Sequence, residues 1–192
     1  YEYAAMVHSL DENVGRVLDK IDQLGLTDGT VVVFFSDNGG FVNQFNRKTV
    51  TNNYPLRSGK GSLYEGGVRE PLIVRWPGVT KAGSQCHELV SSFDFYPTFL
   101  DITGLSGSAK HNADVDGQSL VPLLKDPTAT LGRDTLCWHY PHYYPSTTPA
   151  SAIRQGPWKL LEYFEDNHIE LYNLNNDLGE KNDLAQTLPE KA

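Results

Sequence analysis

The chain has 192 residues, 39% of them hydrophobic and 21% charged, with a formal net charge of −8. That is globular composition at about single-domain length, which excludes collagen, coiled coil and wholesale disorder. No apolar run approaches the roughly 20 residues of a membrane helix, so no integral membrane segment is expected. The acidic balance also argues against nucleic acid as a partner.

Val7, Leu10, Val14, Val17, Leu18, Ile21 and Leu24 recur at three- and four-residue steps, which predicts an opening amphipathic helix. Gly25 suits its C-terminal cap, and Thr27-Asp28-Gly29 is turn chemistry. Residue 1 already falls inside this helix, so the chain reads as a piece of a longer protein. Thr30 to Phe35 is a continuous β-branched and aromatic run, as in a strand buried on both faces of a parallel sheet. Residues 38–70 are mostly loop. A second strand runs from Leu72 to Trp76 and is closed by Pro77-Gly78. Asp94 to Thr103 reads as a helix, with Asp94 as its N-cap and Gly104 at its end.

Beyond residue 126 the pattern becomes short strands: Leu136 to Tyr140, Ala152 to Arg154, Trp158 to Phe164 and Ile169 to Leu174. The last two flank a hairpin loop at residues 165–168. Pro189-Glu190 resembles the first turn of another helix. The expected fold is α/β: residues 1–130 form part of a mixed sheet flanked by helices, and residues 131–192 a small antiparallel subdomain. Cys86 and Cys137 are too few for a disulfide scaffold or zinc ribbon, and could pair or stay free.

Two segments carry chemistry. Ser36-Asp37-Asn38-Gly39-Gly40 follows directly on the first strand, where ligands bind in open α/β sheets. Asp37 and Asn38 offer adjacent hard oxygen donors, suited to Ca²⁺ or Mg²⁺. The same residues also make an ordinary turn. In the second segment Lys60 sits between Gly59 and Gly61, where an oxyanion would reach ammonium and backbone N–H together. A flexible loop with a solvated lysine is the competing reading. The P-loop spacing is absent, because Gly61 follows Lys60.

Together the segments are far more specific. Ser36-Asp37-Asn38-Gly39, followed by Gly59 through Pro71, resembles the sulfatase family of the alkaline-phosphatase-like superfamily. All fixed positions of S-D-N-G and of G-K-G-x-x-Y-E-G-G-x-R-x-P are present. Trp76-Pro77-Gly78, Asp94-Phe95-Tyr96-Pro97-Thr98, Asp116-Gly117-Gln118-Ser119-Leu120, residues 153–160 and Glu170-Leu171-Tyr172-Asn173-Leu174 are similar to further family landmarks. The resemblance covers nearly the whole chain.

It implies the C-terminal part of an alkaline-phosphatase-like sheet in a sulfuric ester hydrolase. Asp37 and Asn38 would be ligands of one divalent cation, Ca²⁺ or alternatively Mg²⁺, and Lys60 a catalytic contact to the sulfate. The family's nucleophile is a formylglycine made in a C/S-x-P-x-R motif, and neither Cys86 nor Cys137 lies in one. A missing N-terminal half is therefore an expected partner, and this fragment alone is expected to be inactive. The implied substrate is a sulfated small molecule or glycan, with sulfated carbohydrate favoured. His139 and His142, in the aromatic stretch Trp138 to Tyr144, would line its entrance. Arg57 would assist anion binding or pair structurally with Glu65 or Glu70, and Arg69 reads as structural.

Two alternatives stay open. A phosphoester or phosphonate hydrolase shares the scaffold, but such enzymes carry His where Asn38 stands, and an amide oxygen is a poor zinc ligand. A non-catalytic relative that binds sulfated glycans is the other. By family habit the protein is periplasmic or secreted, or lysosomal if eukaryotic; no N-x-[ST] sequon supports eukaryotic secretion. The charge is uneven: residues 162–192 hold eight acidic and two basic residues, while residues 47–81 hold seven basic and two acidic. Lys60 lies in that basic stretch, which suits an anionic substrate.

Overall fold

The computed structural model describes residues 2–192. Its helices and strands run in the order α1 (Glu2–Gln23), β1 (Val32–Phe35), β2 (Gln44–Phe45), β3 (Lys48–Thr49), α2 (Glu65–Val68), β4 (Leu72–Arg75), α3 (Phe95–Thr103), α4 (Ala109–Asn112) and α5 (Val121–Lys125), then β5 (Thr135–Tyr140), β6 (Ala150–Gln155), β7 (Trp158–Tyr163) and β8 (Ile169–Asn173). The mix of helices and sheets agrees with the expected α/β class. No helix among the described residues is long and apolar enough to cross a membrane.

The chain divides into two compact units. The first comprises residues 1–34 and 72–133, the second residues 35–71 and 134–192. The segment 35–71 follows β1 directly, yet it belongs to the second unit rather than to the α/β part where its sequence position suggested.

In the first unit, α1 forms as predicted, but none of its residues is buried. Val17, on the apolar stripe, is 61% exposed. β1 pairs with β4 in a two-stranded sheet. The expectation that β1 is buried on both faces is not met: Phe34 and Phe35 remain partly exposed. Two strands supply no flanking layers to cover such a run.

Asp94 organises the rest of this unit. It is fully buried, and it does not act as the simple N-cap that its position suggested. Its carboxylate accepts the backbone N–H groups of Ser91 at 2.8 Å and Gln118 at 2.9 Å. Arg133 meets the same carboxylate with two nitrogens, at 2.9 and 2.6 Å. The Thr98 hydroxyl donates to the Asp94 carbonyl and accepts the Leu120 N–H. One carboxylate therefore joins the start of α3 to the segment entering α5, whose Val121 and Leu123 are buried. Gly117 is required there, since a Cβ would stand 2.1 Å from the Phe93 carbonyl oxygen.

The second unit is built on a four-stranded antiparallel sheet in the order β5-β6-β7-β8. The predicted strands appear in place, and residues 164–168 turn β7 into β8. Pro189-Glu190 starts no helix; the C-terminal residues make turns only. Along β7 burial alternates, with Lys159, Leu161 and Tyr163 inward, as a one-sided sheet requires. Their β6 partners are Arg154, Ala152 and Ala150. This face packs under Leu63 and Tyr64 to form the core, with Tyr172 and Leu174. Two cations, Lys159 and Arg154, thus stand directly opposite on the buried face, an unfavourable pairing unless carboxylates neutralise it.

Replacing Asp94 by Ala would leave the Arg133 guanidinium and two N–H groups without their acceptor. Removing one partner of such a buried pair costs about 3–5 kcal/mol. Chemical unfolding of Asp94→Ala should show a loss of that size. A loss below about 1 kcal/mol, the surface-pair range, would contradict the role given to Asp94.

Candidate functional site

Asp37 and Asn38 follow directly on β1, and the chain then runs alongside the lysine-bearing segment. Gly39 N–H donates to the Gly67 carbonyl at 3.3 Å, and Lys60 N–H donates to the Gly40 carbonyl at 3.1 Å. The Asn53 amide group donates to the carbonyls of Gly40, Ser58 and Gly66 at 3.2, 2.9 and 3.1 Å. Backbone meets backbone with no space for side chains. A Cβ on Gly39 would lie 1.7 Å from the Gly66 oxygen, and one on Gly59 would lie 2.2 Å from the Gly40 oxygen. The glycines of both motifs are therefore needed for the same contact, which brings Asp37 and Asn38 to the loop carrying Lys60.

Asp37 is exposed and Asn38 half-buried. The Asn38 amide nitrogen donates to the Gly39 carbonyl at 3.1 Å, which leaves its oxygen as the end turned to other partners. A carboxyl that the sequence reading did not single out stands beside them. Glu70 has a buried Oε1 with no hydrogen-bond partner. Burial first, and the neighbouring Asp37 charge second, push the Glu70 carboxyl up to about 7. Two like charges meeting at an oxygen without a donor form a place that a cation would stabilise. The donors are all hard oxygens, so the residues fit Ca²⁺ or Mg²⁺ rather than zinc. Among the described residues no group of three or more His, Cys, Asp or Glu could hold a metal. Asp37 and Asn38 thus offer part of a coordination shell.

Lys60 is exposed, and among the described residues no carboxylate lies within ion-pair distance of its ammonium. Its backbone is held from a second side by residues 141–149, which join β5 to β6. The Ser146 hydroxyl donates to the Lys60 carbonyl at 2.8 Å. The Tyr144 ring covers Gly61, where a Cβ would stand 2.1 Å from a ring carbon and φ is +81°. His142, two residues before Tyr144, is exposed and packs edge-on against Tyr140 at 5.3 Å. His139 lies further along β5, with Nδ1 2.8 Å from the Ser151 hydroxyl and its ring 5.7 Å from Phe164. The loop containing His142 therefore reaches Lys60, whereas His139 contacts Ser151 of β6 and Phe164 just after β7.

Arg57 is three residues from Lys60, but its side chain turns elsewhere. It lies over the Tyr64 ring at 3.8 Å and donates to the Tyr172 hydroxyl and the Glu180 carbonyl, both at 2.8 Å. Its carboxylate partner is Glu170, at 3.8 Å; Glu65, an expected partner, pairs with Lys159 instead, and among the described residues no ion pair joins Arg57 to Glu70. Arg57 lines a cleft of about 660 Å³ with Asn52, Tyr54 and Tyr172, and Lys60 does not line it. Arg69 is 3.5 Å from Glu65, in keeping with a structural role.

Comparison with known proteins gives two family matches. Residues 1–105 match the model described as Sulfatase, and residues 58–191 match the one described as N-sulphoglucosamine sulphohydrolase, C-terminal. A protein named Sulfatase from Formosa agariphila is 38% identical, over 98% of this chain and 36% of its own length. An N-acetylglucosamine-6-O-sulfatase from Bacteroides thetaiotaomicron is 32% identical, over 95% of this chain and 31% of its own. The crystal structure of Ps i-CgsB in complex with k-i-k-neocarrahexaose matches with a TM-score of 0.80 at 33% identity, covering 99% of this chain and 39% of that one. The chain thus spans about a third of the length of these relatives.

The lacing of the two motifs can be tested at one glycine. A Cβ at Gly39 meets backbone, which cannot swing aside. Gly39→Ala is expected to destabilise the protein by about 1–3 kcal/mol, as overpacking does. An unfolding midpoint equal to wild type would show that the two segments are not in this contact.

Proposed function

Because the chain belongs to the sulfatase family, we propose that it supplies cation- and sulfate-binding residues to an enzyme that hydrolyses sulfate esters of carbohydrate. The observation that supports this is the backbone lacing, Gly39 N–H to Gly67 and Lys60 N–H to Gly40, which joins the segment carrying Asp37 and Asn38 to the one carrying Lys60. Relatives named for N-acetylglucosamine-6-O-sulfate and for N-acetylgalactosamine-6-sulfate support the carbohydrate class. So does a neighbour solved with D-glucosamine-2-N,6-O-disulfate, at 30% identity and a TM-score of 0.77.

In this reading the oxygens of Asp37 and Asn38 hold a divalent cation, Ca²⁺ or Mg²⁺, with Glu70 close by. The bound cation would supply Lewis-acid stabilisation of charge that develops on the sulfate oxygens. Lys60 acts on the same group. Its ammonium, with no carboxylate to neutralise it, is available to an oxyanion as the S–O bond to the leaving alcohol breaks. His142 and Tyr143 stand on the loop that touches Lys60, where a sugar bearing the sulfate would pass, while the Arg57 side chain is taken up by Tyr64, Tyr172 and Glu180 and that of His139 by Ser151. The nucleophile, a formylglycine by family resemblance, is expected outside these 192 residues, so the isolated chain should not turn over.

The test uses the full-length protein and an aryl sulfate. Lys60→Ala should lower kcat by about 10²–10³-fold, as loss of one oxyanion donor does, with the unfolding midpoint kept. Asp37→Ala should weaken Ca²⁺ binding measured by calorimetry. Lys60→Ala at wild-type kcat would overturn its role, and two zinc ions per chain would favour the phosphoester-hydrolase alternative.

A further inference from the structure

The segment 57–65 carries Lys60, and both of its ends are tied to one distant residue. At one end the Arg57 guanidinium donates to the Glu180 backbone carbonyl at 2.8 Å. At the other the Glu65 backbone N–H donates to the Glu180 carboxylate at 2.7 Å. Glu180 is fully buried, and so is Lys159. The Lys159 ammonium lies 3.0 Å from the Glu180 carboxylate and 2.9 Å from that of Glu65. The segment is thus pinned by a carbonyl, a carboxylate and a shared ammonium, all belonging to the sheet side of the second unit.

The backbone agrees with a pinned segment. Glu180 has φ +49° and Ser58 has φ +61°. Left-handed conformations are disfavoured for residues with a side chain, and persist only where surroundings over-determine them. Here one lies inside the segment and the other is the anchor. Glu180 lies 115 residues from Glu65 along the chain, so the anchor is tertiary rather than a local cap. Nothing in the sulfate chemistry calls for a buried Lys–Glu cluster as such, since neither group reaches solvent.

We propose that Glu180, clamped by Lys159, is a positioning residue for Lys60: it fixes both ends of the segment that presents the ammonium to the sulfate. This rests on the reading of Lys60 given above. Catalysis by a fixed charge depends on its placement, and an error of about 1 Å can cost about 10²-fold in rate. Glu180 touches no substrate; it acts by removing alternative positions of residues 57–65.

Two variants of the full-length enzyme test it. Glu180→Gln keeps an oxygen for the Glu65 N–H but gives up the charge facing Lys159; Glu180→Ala gives up both. Amide hydrogen exchange across residues 57–65 should rise in the order wild type, Gln, Ala, reaching at least about 10-fold as the local opening energy falls. With an aryl sulfate, kcat should fall in the same order, by about 3-fold or more for Gln and about 10- to 100-fold for Ala. A merely structural role would lower the unfolding midpoint and leave kcat of the folded protein at wild type. That result, or unchanged exchange over 57–65, overturns the proposal. If Glu180→Ala does not fold, Glu180→Gln carries both readouts. A wild-type protein without sulfatase turnover, but with exchange ordered as stated, would sink the sulfate reading while upholding the pinning.

Discussion

The second unit turns on a buried ammonium. Lys159 points inward from the second position of β7, on the face that otherwise carries Leu161 and Tyr163. A lysine in that place needs two things, a counter-charge and full hydrogen bonding. Glu65 and Glu180 provide the charge from two distant parts of the chain, at 2.9 and 3.0 Å. Burial pushes the Glu180 carboxyl above its ordinary value, and the Lys159 ammonium pulls it back. The second oxygen of Glu65 has no hydrogen-bond donor, yet Arg69 and Arg154 each stand 3.5 Å from it. Buried pairs of this kind add little net stability over apolar packing, but removing one member is costly. What the cluster gives is a single allowed arrangement of the segments that meet there.

That arrangement has a chemical consequence. Fixing Glu65 fixes the helix turn at residues 65–68, and the glycines of that turn hold the chain that follows β1. Gly67 accepts the N–H of Gly39, and Gly40 accepts that of Lys60. Asp37 and Asn38 are thereby placed relative to Lys60 by backbone contacts rather than by side-chain contacts. Such contacts leave the Asp37 and Lys60 side chains free of structural duties. Asp37 and Lys60 are both exposed, and a cation and an anion can each approach. The Glu70 carboxyl beside them, raised by burial and by Asp37, marks the spot where charge is uncompensated in the protein alone.

Much of this was legible in the sequence, and the part that was not has a physical explanation. The opening helix, the four strands of the C-terminal sheet and the two motifs follow from local periodicity and turn chemistry, which operate over a few residues. The glycines in both motifs were legible as places of close approach, though not as the two sides of one contact. The partners of the Lys60 segment were not legible. Lys159 lies 94 residues from Glu65 and Ser146 lies 86 from Lys60, and no periodicity links such positions. Lys159 in a strand reads as a solvent-facing charge, because buried lysines are rare. Segment 35–71 reads as part of the α/β unit because it follows β1; contacts such as Glu65–Lys159, Arg57–Glu180 and Lys60–Ser146 join it to the other. Arg57 shows the same limit. Its nearby carboxylates, Glu65 and Glu70, were the natural guesses, and Glu170 is the one it meets.

We propose that Asp37, Asn38 and Lys60 form one centre that binds a cation and a sulfate together. A crystal structure of the full-length protein soaked with Ca²⁺ and inorganic sulfate tests it most directly. The expected result is a single cation on the oxygens of Asp37 and Asn38, with a sulfate within reach of the Lys60 ammonium. A cation bound elsewhere, or a sulfate out of reach of Lys60, would contradict it.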